Sequence, residues 1–230
     1  MTDVREIQRA MAARGFYAGD IDGDFGPKSR TGFKVYMQTY EPQALNWTDI
    51  IATSAEFSVD PHLVAAFHEV ESSGAGFDRG RLKIRRESHY FKRLSDGKFD
   101  KSHPQYSHPY EQRAHYPQPA DQAGRWEQLM DMIKLDAEAA LQSFSWGAFQ
   151  VMGANFKFLE HGSAWSMIRW LNENEINQLR GFFRFCKAKG VLDDLQAGRI
   201  LEVTKVYNGE ANAEEYARKI TNSRNRRAAR

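Results

Sequence analysis

The sequence contains a single cysteine, Cys186, among its 230 residues. One cysteine excludes an internal disulfide, and this is consistent with folding in a reducing compartment. The residue lies among Phe182, Phe183 and Phe185, so a small apolar core residue is a better interpretation than a nucleophile.

The sequence also lacks long apolar runs and a strong net charge. No run approaches the length of a membrane span, and the N-terminal segment MTDVREIQRA has no apolar region of the signal-peptide kind. The formal net charge is only +2, which argues against bulk nucleic-acid binding. We therefore expect no integral membrane association, no nucleic-acid partner and synthesis in the cytoplasm.

Apolar residues are plentiful enough for a core: they make up 41% of the chain, with 13% aromatic. The length allows one sizeable domain, or a large and a small one. Basic residues crowd the C-terminus, where four arginines fall in the last seven positions. We expect residues 223–230 to form a solvated, disordered basic tail, with contact to an anionic surface as the alternative.

Two groups of residues invite a metal interpretation that their spacing rejects. The acidic turn Asp20–Asp24 resembles the start of an EF-hand loop, but Phe25 and Thr31 occupy the positions that need Gly and Glu. The histidines of residues 103–115 lack the close spacing of zinc ligands. We expect no metal and no cofactor.

One stretch, residues 58–77, predicts a helix that carries a functional carboxylate. Pro61 suits the first helical turn, and Ser72-Ser73-Gly74 ends the helix. At about 100° per residue, Glu71 falls on the apolar arc and Glu69 points away from it. The apolar members of that arc are Leu63, Val64, Phe67 and Val70.

An apolar setting and the C-terminal end of the helix dipole should both raise the pKa of Glu71. A raised pKa is what a general acid needs near neutral pH. The alternative is a carboxylate that curls out at the rim of the core.

Other segments predict local structure. Residues 82–85 alternate as a strand does, and residues 89–91 are expected to continue a small hairpin or lobe. A long helix is expected near residues 163–189, and short helices over 46–57, 199–208 and 213–220.

The N-terminal segment resembles the peptidoglycan-binding module type 1, a small helical cell-wall domain. The matching features are Ile7-Gln8, Gly15-Phe16, Asp22-Gly23, Phe25-Gly26 and Ser29. The resemblance implies a short wall-binding domain over residues 1–42 that holds glycan or stem peptide. Glu41-Pro42 breaks the chain and marks a linker.

Residues 55–220 resemble the phage-associated N-acetylmuramidase family. The blocks that carry the resemblance are VESSGAGF at 70–77, KIRRESHYF at 83–91, DAEAALQSFSWGAFQVMG at 136–153 and YNG at 207–209. The resemblance implies a mainly helical, lysozyme-like α+β fold with a small β-lobe, and a catalytic domain over residues 46–222. It makes Glu71 the catalytic acid.

The second of these blocks departs from the family pattern at Arg86, where the family usually has Phe. Glu87, the next residue, is the best candidate for a second carboxylate that activates water. The alternative is a structural ion pair between Glu87 and Arg85, Arg86 or Arg93.

The ESxxG, GxxQ and YNG elements are also similar to those of goose-type lysozymes and lytic transglycosylases. In those families a Gln and a Tyr-Asn pair line the sugar cleft, and the resemblance implies the same role for Gln150, Tyr207 and Asn208. Gln150 could instead bond the backbone of its own turn, and Tyr207 and Asn208 could close a helix end. Trp146 is expected either to stack on a sugar ring or to lie in the core.

The leading hypothesis is a peptidoglycan hydrolase that cleaves the β-1,4 bond between N-acetylmuramic acid and N-acetylglucosamine. One alternative is a lytic transglycosylase, and another is a non-catalytic wall-binding protein. We expect a monomer. The resemblance further implies an endolysin that is made in the host cytoplasm and reaches the wall through a holin pore.

Overall fold

The computed structural model describes residues 2–38, 44–72 and 75–229, with the side chain of Ser72 left out. The expected linker at Glu41-Pro42 and the expected helix end at Ser73-Gly74 lie outside the described residues. So does the last arginine of the sequence, Arg230.

Helices dominate the described chain. Their bounds are α1 Val4–Ala13, α2 Pro27–Tyr36, α3 Trp47–Glu56, α4 Pro61–Ser72, α5 Ser88–Leu94, α6 Gln122–Leu135, α7 Ala137–Gln142, α8 Ala164–Leu171, α9 Glu175–Ala188, α10 Leu192–Gln196, α11 Ile200–Asn208 and α12 Ala213–Ala228. Single turns of 3₁₀-helix cover Tyr110–Gln112, Gly153–Asn155 and Glu210–Asn212.

Five short strands form the small β-lobe. They are β1 Phe77–Asp78, β2 Arg81–Leu82, β3 Ile84–Arg86, β4 Phe144–Trp146 and β5 Val151–Met152. β1 and β2 form one antiparallel pair, and β3, β4 and β5 form an antiparallel sheet in that order. In the register of this sheet Ile84 pairs with Trp146, which pairs with Val151. The expected mainly helical α+β fold is confirmed.

Helix α4 runs through the middle of the protein. Of the predicted apolar arc, Leu63, Val64 and Phe67 are buried and Val70 is partly buried. Ala65, Ala66 and His68 on the other sides of the helix are buried as well. A helix enclosed on all sides fixes the position of its last turn, where Glu71 lies. Glu69 points away from Glu71, as predicted, and pairs with α12 through Arg227 Nη2 at 2.6 Å.

The C-terminal residues are helical, so the expectation of a disordered tail is wrong. α12 continues to Ala228, and Arg226 and Arg227 both pair with Glu69 on α4. Arg224 pairs with Asp60 just before α4, at 2.7 Å. These arginines therefore pair with Glu69 and Asp60, which are distant in the sequence, and the residues around the arginines do not indicate this pairing.

The N-terminal helices share one core with the rest of the protein. Phe33 of α2 is fully buried, and its ring lies against Trp126 and Trp165. On the surface Arg30 pairs with Glu127 and Asp131 of α6 at 2.8 and 2.6 Å. Residues 2–37 therefore pack onto the larger part of the chain through both apolar and ionic contacts.

A buried amide organises the acidic turn between α1 and α2. Gln8 Nε2 donates to Asp22 Oδ1 at 2.8 Å and to the carbonyl of Asp24 at 3.0 Å. Gln8 Oε1 accepts from the backbone N–H of Gly23, which has a φ of +85°. Local hydrogen bonds and a glycine in the left-handed region explain this turn, as expected from the sequence.

Two predicted elements differ from the structure. Residues 88–94 form helix α5 instead of continuing a hairpin, and Phe91 on this helix is fully buried. The expected long helix near residues 163–189 is broken into α8 and α9. The side chain of Asn174 caps α9 by accepting from the backbone N–H of Asn177 at 2.8 Å. Apolar periodicity continues through this break, which is why the sequence suggested one helix.

Candidate functional site

A cleft of about 610 Å³ lies beside the last turn of α4, between the β-lobe and the end of α11. Carboxylates, cations and amides supply most of its walls. The residues that line it are Glu71, Lys83, Arg85, Glu87, Gln122, Arg125, Ser145, Gly147, Gln150, Met152, Tyr207, Asn208, Asn212 and Tyr216. Five of the six site residues predicted from the sequence are among them.

Glu71 meets Asn208 in this cleft, although the two residues are 137 positions apart in the chain. Asn208 Nδ2 donates a hydrogen bond of 2.8 Å to Glu71 Oε1. Burial raises the pKa of Glu71, and the hydrogen bond from Asn208 opposes that effect only in part. A raised pKa favours the protonated form of this carboxyl group.

The end of α11 holds Asn208 and Tyr207 in position. The hydroxyl of Tyr207 donates to the carbonyl of Phe149, which lies in the turn between β4 and β5. Burial raises the pKa of Tyr207 well above its usual value, and the nearby Glu71 adds to the effect. Gly209 ends the helix with a φ of +81°, so the chain turns away directly after these two side chains.

Glu87 lines the same cleft from the junction of β3 and α5. Its Oε1 lies 3.4 Å from Arg85 Nε, and its Oε2 lies 3.8 Å from His89 Nδ1. Burial raises the pKa of Glu87, and the positive charges of Arg85, Arg86 and Arg113 oppose that effect only in part. Glu87 thus lines the cleft, where a second carboxylate was expected, and it also pairs with Arg85, which was the alternative.

Arg86 points away from the cleft. Its Nη1 donates to Gln128 Oε1 at 2.7 Å, and its Nη2 donates to the carbonyl of Tyr116 at 2.8 Å. The guanidinium also lies 5.8 Å from the ring centre of Tyr106. Arg86, the residue that departs from the family pattern, therefore binds Tyr116 and Gln128 and leaves Glu87 open to the cleft.

Gln150 sits in the turn between β4 and β5 with a φ of +49°, which is uncommon for a residue other than glycine. Its Nε2 donates to the carbonyl of Gly147 at 2.8 Å, and its Oε1 accepts from Ser145 Oγ at 2.9 Å. The amide therefore bonds its own turn, as the alternative supposed, and it still lines the cleft.

Trp146 lies in the core and does not line the cleft. Its side chain is 1% exposed, and its Nε1 donates to the carbonyl of Leu141 at 3.2 Å. Trp146 was expected either to stack on a sugar ring or to lie in the core. The structure shows the core setting, because the ring packs against Trp126 behind the sheet. A buried indole has no face that a sugar ring could reach.

Comparison with known proteins identifies the family. Residues 60–227 match the N-acetylmuramidase family. The chain belongs to the N-acetylmuramidase family. It is a peptidoglycan hydrolase, a glycoside hydrolase that lyses cell walls. This confirms the family resemblance found in the four sequence blocks.

The fold of this muramidase also matches a solved structure. The crystal structure of the Burkholderia AP3 phage endolysin is similar with a TM-score of 0.71 and 25% sequence identity, over 100% of this chain and 97% of that chain. No curated protein matches the chain. The family match begins at residue 60, so the wall-binding role expected of residues 1–42 stays a prediction. None of the helices in the described ranges has the length and apolarity needed to cross a bilayer.

Two buried polar residues of α9 support the muramidase cleft, and the sequence interpretation missed both. Glu175 is 1% exposed and accepts from the backbone N–H of Leu45 at 3.0 Å and from that of Gly76. His68 Nε2 lies 3.5 Å from Glu175 Oε2. Burial by itself would raise the pKa of Glu175, but the bonds from His68, Leu45 and Gly76 bring it below its usual value. Glu175 is thus a buried carboxylate that holds the chain just after Glu71.

Gln178 contacts two segments beside the cleft, one at Gly76 and the other at Gly147 and Ala148. Its Oε1 accepts from the backbone N–H of Ala148 at 2.6 Å, and its Nε2 donates to the carbonyl of Leu171 at 3.1 Å. Gly76 and Gly147 approach it so closely that a Cβ on either glycine would collide with the amide of Gln178.

A signal for these residues was present in the sequence. Glu175 and Gln178 are three positions apart and share a helix face with Phe182, which makes both polar side chains part of the apolar arc. Polar residues on an apolar arc indicate buried side chains with partners elsewhere in the fold.

Proposed function

We propose that Glu71 is the general acid that cleaves the β-1,4 bond between N-acetylmuramic acid and N-acetylglucosamine. The observation that carries this proposal is a buried carboxyl group of raised pKa that faces a glycan-sized cleft. Among the described residues, the neutral amide of Asn208 donates a hydrogen bond to it. Burial raises the pKa of this carboxyl group and so favours the protonated form, which can give its proton to a leaving oxygen.

In the proposed reaction, Glu71 gives its proton to the glycosidic oxygen as the bond to the anomeric carbon breaks. A water molecule attacks that carbon, and Glu87 accepts the proton that the water loses. Arg85 supports this role of Glu87, because a positive charge 3.4 Å away favours the ionised carboxylate that a base needs. Glu87 then releases its proton to solvent and Glu71 regains one, so the net reaction consumes one water for each bond.

We assign Gln150, Tyr207 and Asn208 to substrate binding. Within the described residues, Asn208 Oδ1 is buried and has no donor, so it is available to accept from an N-acetyl N–H or a sugar hydroxyl. Trp146 is left out of the proposed site because it lies in the core.

The decisive variant is Glu71→Gln, with Glu69→Gln as its matched control on the same helix. We expect Glu71→Gln to stay folded and to lose wall-lysing activity by about 10²- to 10⁴-fold, the usual contribution of a general acid. Glu69 faces α12 instead of the cleft, so its variant should retain most of the activity. Full activity of Glu71→Gln would contradict the proposal.

Mass spectrometry of digested peptidoglycan tests the reaction type. Reducing N-acetylmuramic acid ends are expected from hydrolysis, whereas anhydro-muramic ends would mean transglycosylation. Glu87→Gln should slow hydrolysis if Glu87 activates the water. The rate of the wild type should fall as the pH rises through the raised pKa of Glu71, because only the protonated acid is active.

We propose that the N-terminal residues contact the wall. A second depression of about 490 Å³ on this part of the protein is lined by Phe16, Tyr17, Pro27 and Thr31, among others. Its aromatic and hydroxyl groups are suited to a sugar or a short peptide. The monomeric state stays a prediction, and so does the release through a holin that the family resemblance implies.

A further inference from the structure

We propose that Arg125, assisted by Arg85, forms a carboxylate-binding subsite that recognises the acidic side arm of the muramic acid residue. This inference rests on the proposed function in one respect only, namely that the wall glycan occupies the cleft. The ligand chemistry is a carboxylate, which can come from the lactyl group of the sugar or from the stem peptide attached to it.

Arg125 is held in a fixed position by the backbone. It lies on α6 and lines the cleft. Its Nε donates to the carbonyl of Pro119 at 2.9 Å, and its Nη1 donates to the carbonyl of Ile84 at 3.2 Å. An arginine has five N–H donors in a planar arrangement, so these two bonds orient the group and leave the other donors for a ligand.

No carboxylate of the described residues forms an ion pair with Arg125. The negative charge of Asp121 raises the pKa of Arg125 without forming an ion pair with it. Asp121 Oδ1 instead accepts from the backbone N–H of Gly124 at 2.7 Å as the cap of α6. A partly buried guanidinium with bonds to carbonyls alone still has its charge uncompensated.

A second arginine intensifies the positive charge. Arg85 lines the same cleft from β3, and its side chain is 59% exposed. Burial lowers the pKa of Arg125, and repulsion from Arg85 lowers it further. Two arginines that repel each other are stabilised when an anion binds between or beside them.

The charges that line the cleft also favour an anionic ligand. Lys83, Arg85 and Arg125 contribute three positive charges, and Glu87 contributes one negative charge. Even with Glu71 and Glu87 both ionised, the side chains that line the cleft carry a net positive charge. Walls of one sign concentrate their field in a cleft and attract ligands of the opposite sign.

The wall glycan carries its negative charge on one of its two sugars. N-acetylglucosamine has no ionisable group, whereas N-acetylmuramic acid has a lactyl carboxyl group. In the intact wall this carboxyl is amide-linked to a stem peptide, which has carboxylates of its own. A fixed arginine on one side of the cleft therefore distinguishes the two sugars and sets which of the two alternating bonds reaches Glu71.

The test uses three soluble glycans of equal length: one with stem peptides, one without peptides and with free lactyl carboxylates, and one whose lactyl groups are converted to neutral amides. Arg125→Gln and Arg85→Gln are compared with Arg180→Gln, an arginine outside the cleft that pairs with Glu56 on the surface. KM and kcat are measured for each protein on each glycan.

We expect Arg125→Gln to raise KM about ten-fold on the carboxylated glycans, the size of one charge-assisted hydrogen bond in a partly solvated site. KM on the neutral glycan should stay unchanged, and Arg180→Gln should behave as the wild type throughout. An effect on the peptide-free glycan identifies the lactyl carboxylate as the ligand. An effect confined to the peptide-bearing glycan identifies the stem peptide.

Equal losses on charged and neutral glycans would overturn the proposal, because they would mean that Arg125 only supports Ile84 and the β-lobe. Unchanged KM values for both arginine variants would overturn it as well. Arg85→Gln keeps the test valid if Arg125→Gln fails to fold, since Arg85 is exposed. Its contact with Glu87 can change kcat on all three glycans, so the readout for this variant is the difference in KM between the charged and the neutral glycans. Failure of the proposed function has a different signature, namely full activity of Glu71→Gln on all three glycans.

Discussion

Replacing Gln178 by alanine tests whether α9 supports the cleft. The substitution removes the acceptor for the backbone N–H of Ala148 and the donor for the carbonyl of Leu171, both of which are buried. It also leaves a space between Gly76 and Gly147, which now pack against the amide. None of these groups can reach solvent without a local rearrangement.

The expected cost follows from the two orphaned groups. Each buried donor or acceptor without a partner costs about 1–3 kcal/mol, so the loss of both costs roughly 2–6 kcal/mol of unfolding free energy. In a protein of this size a loss of that kind lowers Tm on the order of 10 °C. Activity should fall as well, because Ala148 lies in the turn that holds Gln150 in the cleft.

Circular dichroism melting gives the stability, and wall turbidity at 25 °C gives the activity of the folded variant. Gln196→Ala is the matched control, since this exposed amide makes a hydrogen bond to the carbonyl of Phe57 at 2.8 Å. Its loss should change the unfolding free energy by less than about 0.5 kcal/mol. If Gln178→Ala has the same Tm as Gln196→Ala and lyses walls at the wild-type rate, Gln178 does not support the cleft.

Two further substitutions test long-range packing. Phe33→Ala should lower the unfolding free energy by about 3–5 kcal/mol, because the ring fills the space beside Trp126 and Trp165. The variant should keep a single melting transition in calorimetry. A separate early transition would show instead that the N-terminal helices unfold alone. Deletion of residues 224–230 should lower Tm and reduce activity equally on whole cells and on isolated walls, since these arginines hold Glu69 and Asp60. A loss seen only on whole cells would favour contact with the envelope.

The sequence was sufficient to predict features that depend only on residues close together in the chain. Helical phase separated Glu71 from Glu69, and the proline at position 61 marked the first turn of the helix that carries both. The blocks around Glu71, Gln150 and Asn208 led to the family, because the residue types that glycan cleavage requires occur there in a fixed order.

Local signals failed where a distant partner decides the structure. Residues 223–230 read as a free basic end, yet carboxylates more than 150 positions away along the chain fold the described part of it into α12. The apolar pattern of residues 163–189 gave no warning of the break that Asn174 introduces. Trp146 had two possible settings, and only the packing of Trp126 decided between them.

By itself, then, the sequence determined the helix of Glu71 and the direction in which that side chain points relative to Glu69. These properties depend on residues within one or two helical turns. The tertiary structure decided that Asn208 meets Glu71, that Glu175 and Gln178 hold the neighbouring loops, and that Arg125 faces the cleft without an acidic partner among the described residues. Each of these depends on which distant groups become neighbours when the core forms, and that is set by packing across the whole chain.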